Sequence, residues 1–308
     1  MRSFIGYFKF VPFFLLAKKG LPYFASIDIT NACNLTCVHC YYYMKQYQSK
    51  QLSEQEWIAR IEELKKKHPT IIHCTWVGGE PLLPRSRRLV EKGVNYFKAN
   101  LIVTNGTYPI PKLKNTVFHV SIDGTEEFHD AIRGKGTYNI AKQNVQDSTA
   151  RIYLHCVLSQ ANKHSIQHLV EDWIGTNAKG IAFSFYTPMP HVDDPLFIPD
   201  SQRDQLIDQI IGLRDTYGSF ITTPSSLLKL FKSDYYRNVI DNDPEHVKNC
   251  LLKKGNVISV DSAGNTKHPC VMGKMDCSRC FCVIPYFLHA SIIRKDVRSI
   301  LEFSRTLA

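Results

Sequence analysis

No stretch of this 308-residue chain offers the ~20 consecutive apolar residues that a bilayer-spanning helix needs. The densest apolar run, residues 4–16, is broken by Lys9 and Pro12, and no small-residue cleavage site follows it. Neither a membrane span nor a secretory signal is therefore expected there. The chain also lacks low-complexity tracts and short repeats. It carries no nucleic-acid-binding motif beside its net charge of +10, so nucleic acid is not an expected partner. That charge marks an affinity for anions in general. The run Lys65, Lys66 and Lys67 falls at a predicted helix end, where cations complement the dipole.

Cysteine is what the chain has in excess. Ten cysteines in a small secreted protein would form disulfides. Here they cluster in a long chain as CxxxCxxC and CxxCxC, which is metal-ligand spacing and needs free thiols. A reducing, cytoplasmic location is expected. An apolar content of 44% can bury one large core, with room for a small appendage.

The first cluster, Cys33, Cys37 and Cys40, follows an alternating strand pattern over residues 24–29. Three thiolates on one tight loop can hold three irons of a four-iron cluster and leave the fourth open to a ligand. A zinc site made by the same cysteines with His39 is the alternative, and it would suit a non-catalytic interaction protein.

Past this loop, strand and helix patterns alternate. Six strands are expected near residues 24, 71, 101, 116, 152 and 181. Helices are expected over 84–99, 137–146, 163–173 and 200–217, and another is capped by Ser53, with Glu56 three residues on. This pattern predicts an α/β fold with parallel βα units. Six units fall short of the eight of a closed barrel, so an open, partial (β/α)6 TIM-like barrel is expected.

In such folds chemistry gathers at the carboxyl ends of strands. Gly78-Gly79-Glu80-Pro81 follows the second strand, and the glycines permit close backbone approach. Asn105 ends the third strand. Ser121 and Asp123 end the fourth, two residues apart and thus expected on one face. Arg133 closes the motif His129-Asp130-Ala131-Ile132-Arg133-Gly134, and Asn162 follows the fifth strand.

With these motifs in order behind CxxxCxxC, residues 24–190 resemble the radical S-adenosylmethionine (SAM) superfamily. The resemblance implies a 4Fe-4S cluster on Cys33, Cys37 and Cys40 with SAM chelating the open iron. It implies SAM contacts from His39, Gly78, Gly79, Glu80, Asn105, Ser121, Asp123, Arg133 and Asn162. It also implies an electron donor such as flavodoxin or ferredoxin, and a 5′-deoxyadenosyl radical acting on a substrate that is a peptide, a lipid or a small molecule.

Cys250, Cys270, Cys277, Cys280 and Cys282 near the end of the chain flank an expected hairpin around residues 261–265. They resemble the SPASM or twitch extensions of the same superfamily, which implies one auxiliary iron–sulfur cluster. The spacing departs from the standard pattern, and structural zinc is the alternative. Three segments are thus expected: 1–23, an aromatic amphipathic stretch; 24–218, the barrel; and 219–308, the cysteine-rich extension. No room for a leader-binding winged helix is seen before Phe24. The first segment, flanked by Arg2, Lys18 and Lys19, suits peripheral contact with the membrane's inner face, bringing the barrel mouth to a lipid. Covering the barrel's lower end is its other use. Cys74 and Cys156 fall in strands and are expected to be buried.

Overall fold

The computed structural model describes residues 19–40, 51–189, 192–242, 248–267, 275–304 and 306. The apolar run 4–16, Pro190 and the expected ligand Cys270 lie outside them. The barrel runs β1 (Phe24–Thr30), α1 (Glu54–Lys67), β2 (His73–Gly78), α2 (Pro84–Gly93), β3 (Ala99–Thr104), β4 (Thr116–Ser121), α3 (Glu126–Arg133), α4 (Thr137–Asp147), β5 (Arg151–Leu158), α5 (Ile166–Trp173), β6 (Ile181–Phe185) and α6 (Asp200–Tyr217). The six strands pair in sequence order, all parallel.

Strand alternation sorts the side chains into two sets. Ile27, Trp76, Ile102, Phe118 and Ile152 stand opposite one another in register and are buried. This row faces the helices: a Cβ on Gly93 of α2 would meet the Trp76 ring at 2.3 Å, so the glycine lets helix and sheet close. Trp57 and Ile61 of α1 join the same core. Cys74 and Cys156 lie on this outer face and are buried, as expected. The alternate residues, among them His73, Thr75, Val77, His119, Ser121, His155 and Ser184, face the lumen and line its cavity.

Local signals account for some element ends. Ser53 and Glu56 form a reciprocal capping box at α1. The helix expected over 84–99 stops earlier: Asn100 donates from its side chain to the Val94 carbonyl at 2.9 Å, and a 3-10 turn at Val94–Tyr96 leads into β3. The motif containing Arg133 is itself a helix, α3, ended by Gly134 at φ 123°.

The C-terminal part continues the same sheet. After α7 (Ser225–Leu228), β7 (Val257–Val260) pairs parallel with β1, and β8 (Thr266–Lys267) returns antiparallel as the expected hairpin. Then α8 (Val283–Leu288) and α9 (Val297–Ser304) close the open side of the barrel. Residues of both helices, Phe287 and Phe303 among them, line the lumen cavity.

Candidate functional site

The loop after β1 is held by backbone contacts. Gly79 N–H donates to the Thr30 carbonyl at 2.7 Å and Glu80 N–H to the Ala32 carbonyl at 2.8 Å. A Cβ on Gly79 would lie 1.9 Å from the Ala32 carbonyl oxygen, and one on Gly78 2.3 Å from that of Thr30. The close approach that demands both glycines is thus to the chain's own cysteine loop. On the loop's other side, Val38 N–H donates to the Ile132 carbonyl of α3 at 2.9 Å.

Cys33, Cys37 and Cys40 are partly exposed and line one cavity of about 480 Å³. Donors point at their sulfurs. Leu35 N–H and the Asn105 amide reach Cys33 Sγ at 3.4 and 3.8 Å, and Arg133 reaches Cys37 Sγ at 4.0 Å. Burial pushes the Cys33 thiol up to about 11 although the Leu35 N–H opposes it, so metal binding there must release a proton. Among the described residues no three Cys, His, Asp or Glu side chains come close enough to share one metal ion. A four-iron cluster asks each sulfur for a separate iron, so its ligands stand further apart. Three thiols facing one cavity, with donors at two sulfurs, fit such a group.

The residues singled out from the sequence divide into two sets. His39, Gly78, Gly79, Asn105, Ser121 and Arg133 line the cavity beside the cysteines. Glu80, Asp123 and Asn162 are buried behind it. The Glu80 carboxylate accepts from Leu82 N–H, the Thr104 hydroxyl and Asn105 N–H at 2.7–2.8 Å, so it braces the end of β3. Burial raises its pKa against those three donors. Asp123 does not share a strand face with Ser121, because β4 ends at Ser121 and the alternation ends with it. Its carboxylate instead accepts from Arg133 Nε at 2.6 Å and from Val157 N–H at 3.0 Å, with His39 Nε2 at 3.6 Å. Burial alone would raise Asp123; Arg133, His39 and His129 outweigh it and hold the carboxyl at about 2. The Asn162 side chain donates to the Val157 and Asp123 carbonyls at 3.0 and 3.3 Å, tying the ends of β4 and β5 together.

The second group of cysteines opens on the same cavity. Cys250, Cys277, Cys280 and Cys282 all line it. Between the last two, Phe281 is buried against Phe185, Phe231, Tyr236 and the guanidinium of Arg203, whose Cζ is 3.9 Å from its ring centre. That packing anchors the CxxCxC turn to α6. Reading the sequence missed four cavity residues: His119, His155, Ser184 and Lys253. The first three sit at lumen positions of β4, β5 and β6, so strand alternation was the signal that could have found them. Lys253 hydrogen-bonds Cys277, and no local pattern marks it.

Residues 27–172 match the family model described as the Radical SAM superfamily. Those residues, just under half of the chain, form a radical SAM domain. Its relatives include the sporulation killing factor maturation protein SkfB of Bacillus subtilis, 25% identical over 170 residues, or 51% of this chain and 41% of that one. Mycofactocin maturase MftC of Mycobacterium tuberculosis is 29% identical over 144 residues, or 43% of this chain and 36% of that one. The chain thus spans less than half the length of these curated relatives. The crystal structure of Streptococcus suis SuiB shares the fold, with a TM-score of 0.60 at 15% identity over 82% of this chain and 61% of that one. The shared fold therefore reaches beyond the radical SAM domain and into the cysteine-rich extension. No helix among the described residues is long and apolar enough to cross a membrane.

Proposed function

We propose that this protein is a radical SAM enzyme that cleaves SAM reductively and modifies a peptide. One observation carries the reading: Cys33, Cys37 and Cys40, with His39, Gly78, Gly79, Asn105, Ser121 and Arg133, share a cavity with a second set of thiols. When bound, the 4Fe-4S cluster would supply one electron to the sulfonium of SAM, breaking the C5′–S bond and freeing a 5′-deoxyadenosyl radical.

The chain's residues bind and orient. Cys33, Cys37 and Cys40 would hold the cluster, and Leu35 N–H, Asn105 and Arg133 place positive dipoles or charge at the sulfurs of Cys33 and Cys37. The Gly78-Gly79 turn and Ser121 would offer polar groups to SAM, and His39, which lines the same cavity, would lie against its adenine. Asp123 fixes the Arg133 guanidinium, and Glu80 and Asn162 fix the strand ends. Cys250, Cys277, Cys280 and Cys282, with Cys270, would supply the ligands of an auxiliary iron–sulfur cluster. Electrons come from a small carrier such as flavodoxin or ferredoxin.

Support for a peptide comes from relatives named for the maturation of a killing factor and of mycofactocin, and from SuiB, which has been crystallised with SAM and with its precursor peptide SuiA. The test is anaerobic incubation with SAM and dithionite. Wild-type protein should release 5′-deoxyadenosine, and a variant with alanine at Cys33, Cys37 and Cys40 should release none. Product at the wild-type rate from that variant would refute the assignment. Stoichiometric zinc with little iron in anaerobically purified protein would favour the interaction-protein alternative.

A further inference from the structure

The described residues that line the cavity include one arginine, one lysine and one carboxylate: Arg133, Lys253 and Asp241. They serve two sets that follow one plan, a cation at a sulfur held by a buried carboxylate. At the first group of thiols, Arg133 reaches Cys37 Sγ at 4.0 Å and donates to Asp123 at 2.6 Å. At the second group, Lys253 hydrogen-bonds Cys277, and its Nζ stands 3.8 Å from Asp241 Oδ2. The side chains of Lys253 and Asp241 are each only 2% exposed. Asp241 is fixed in turn, because its Oδ1 accepts from the N–H groups of Lys248, Asn249 and Cys250. The pair thus joins Cys250 to Cys277, which are distant in the sequence.

The two sets differ in how far the cation is neutralised. Arg133 is hydrogen-bonded to its carboxylate, whereas Lys253 lies beyond hydrogen-bond distance of Asp241. Asp241 Oδ2 has no hydrogen-bond partner among the described residues. A lysine is almost never buried without an anion to match it. Cys250, Cys277, Cys280 and Cys282 face the same cavity, and as metal ligands they would be thiolates. A buried ammonium among them fits an anionic metal–thiolate group.

We propose that Lys253, positioned by Asp241, raises the reduction potential of an iron–sulfur cluster held by the C-terminal thiols. A cation hydrogen-bonded to a ligand sulfur favours the reduced cluster, which carries one more negative charge. The inference rests on the auxiliary cluster proposed above, and its test reads potentials and metal content rather than turnover.

Holoprotein is reconstituted anaerobically and titrated with dithionite while its electron paramagnetic resonance is recorded. The signal that SAM leaves unchanged marks the C-terminal cluster. At a fixed potential, Lys253→Met should lower the ratio of reduced to oxidised cluster at least about tenfold, a shift of about 59 mV to more negative potential. Lys253→Arg keeps the charge and should stay within about threefold of wild type. Lys254→Met, at the exposed site next to it, should also stay within about threefold. Asp241→Asn removes a negative charge while its amide oxygen can still accept the three N–H bonds, so it should move the potential the opposite way. If Lys253→Met loses the C-terminal iron and Lys253→Arg keeps it, the same demand for charge shows in affinity. Loss of that iron from both variants would overturn the inference and leave the auxiliary cluster standing. So would an unchanged potential in Lys253→Met, or shifts of one sign in Lys253→Met and Asp241→Asn, which would make the pair structural. Wild-type protein with iron on the first cysteines, but none or zinc on the C-terminal ones, would overturn both the inference and the auxiliary cluster.

Discussion

Asp123 is the residue on which the candidate site turns. It is fully buried, and its carboxylate holds Arg133 against Cys37 while it also caps Val157 N–H of β5. Removing one partner of a buried pair leaves the other charge without compensation. Asp123→Asn should therefore lower stability by about 3–5 kcal/mol, measured by urea unfolding. A loss below about 1 kcal/mol would show the pair to be dispensable. The lumen histidines make a second prediction. Burial first, then the neighbouring His155 ring, holds His119 at about 3, and His155 itself is held at about 4. Burial acts first on His155 too, with Arg133 adding to it and Asp123 opposing it. Their neutral rings bond the Thr306 carbonyl at 2.8 Å and the Ser184 hydroxyl at 3.1 Å. Folded-state pKa values below the unfolded ~6.5 mean that this contribution is complete above pH ~6.5 and is lost as pH falls toward 3–4. Going from pH 7 to 5 should cost roughly 2 kcal/mol for each ring. His119→Gln should flatten that dependence in urea titrations at the two pH values, and an unchanged slope would assign it elsewhere.

At the scale of elements, two glycines with opposite surroundings make a paired test. Gly79 sits where any Cβ would strike the Ala32 carbonyl, so Gly79→Ala must displace the loop carrying Cys33. Iron content after anaerobic reconstitution should fall by about half or more, because the loop's three thiols lose their common seat. Gly212 lies in α6, where an added methyl group would meet nothing within 4 Å. Gly212→Ala should raise stability by about 0.5–1 kcal/mol with iron content unchanged, since alanine is the better helix former. If both variants lost iron alike, the steric account of Gly79 would fail.

For the whole molecule, one sheet carries both cysteine groups, yet different contacts secure them. The first group leans on the Gly78-Gly79 turn and α3, the second on Phe281 in its aromatic pocket near α6. Alanine at Cys33, Cys37 and Cys40 should therefore leave about half the iron, held by the C-terminal cysteines. Absorbance and iron analysis of the reconstituted variant check this. Zinc in place of that iron would make the extension structural.

The sequence by itself determined the elements and the order of the motifs. β5 falls near residue 152 and α6 over 200–217, where the local pattern places them, because alternation and helical spacing act over a few residues. The CxxxCxxC loop was legible for the same reason, since its three ligands are neighbours in the chain. What the tertiary structure decided are relations between distant residues. Lys267 pairs with Asp28 across 239 positions at 2.5 Å. Glu80 turns inward to brace Asn105. Asp123 leaves the face of Ser121 once β4 has ended, and the C-terminal thiols open on the same lumen as the first three. Spacing along a chain specifies which face of a strand or helix a residue takes. Which faces meet depends on how the parallel strands stack, and that is settled only when the whole sheet has formed.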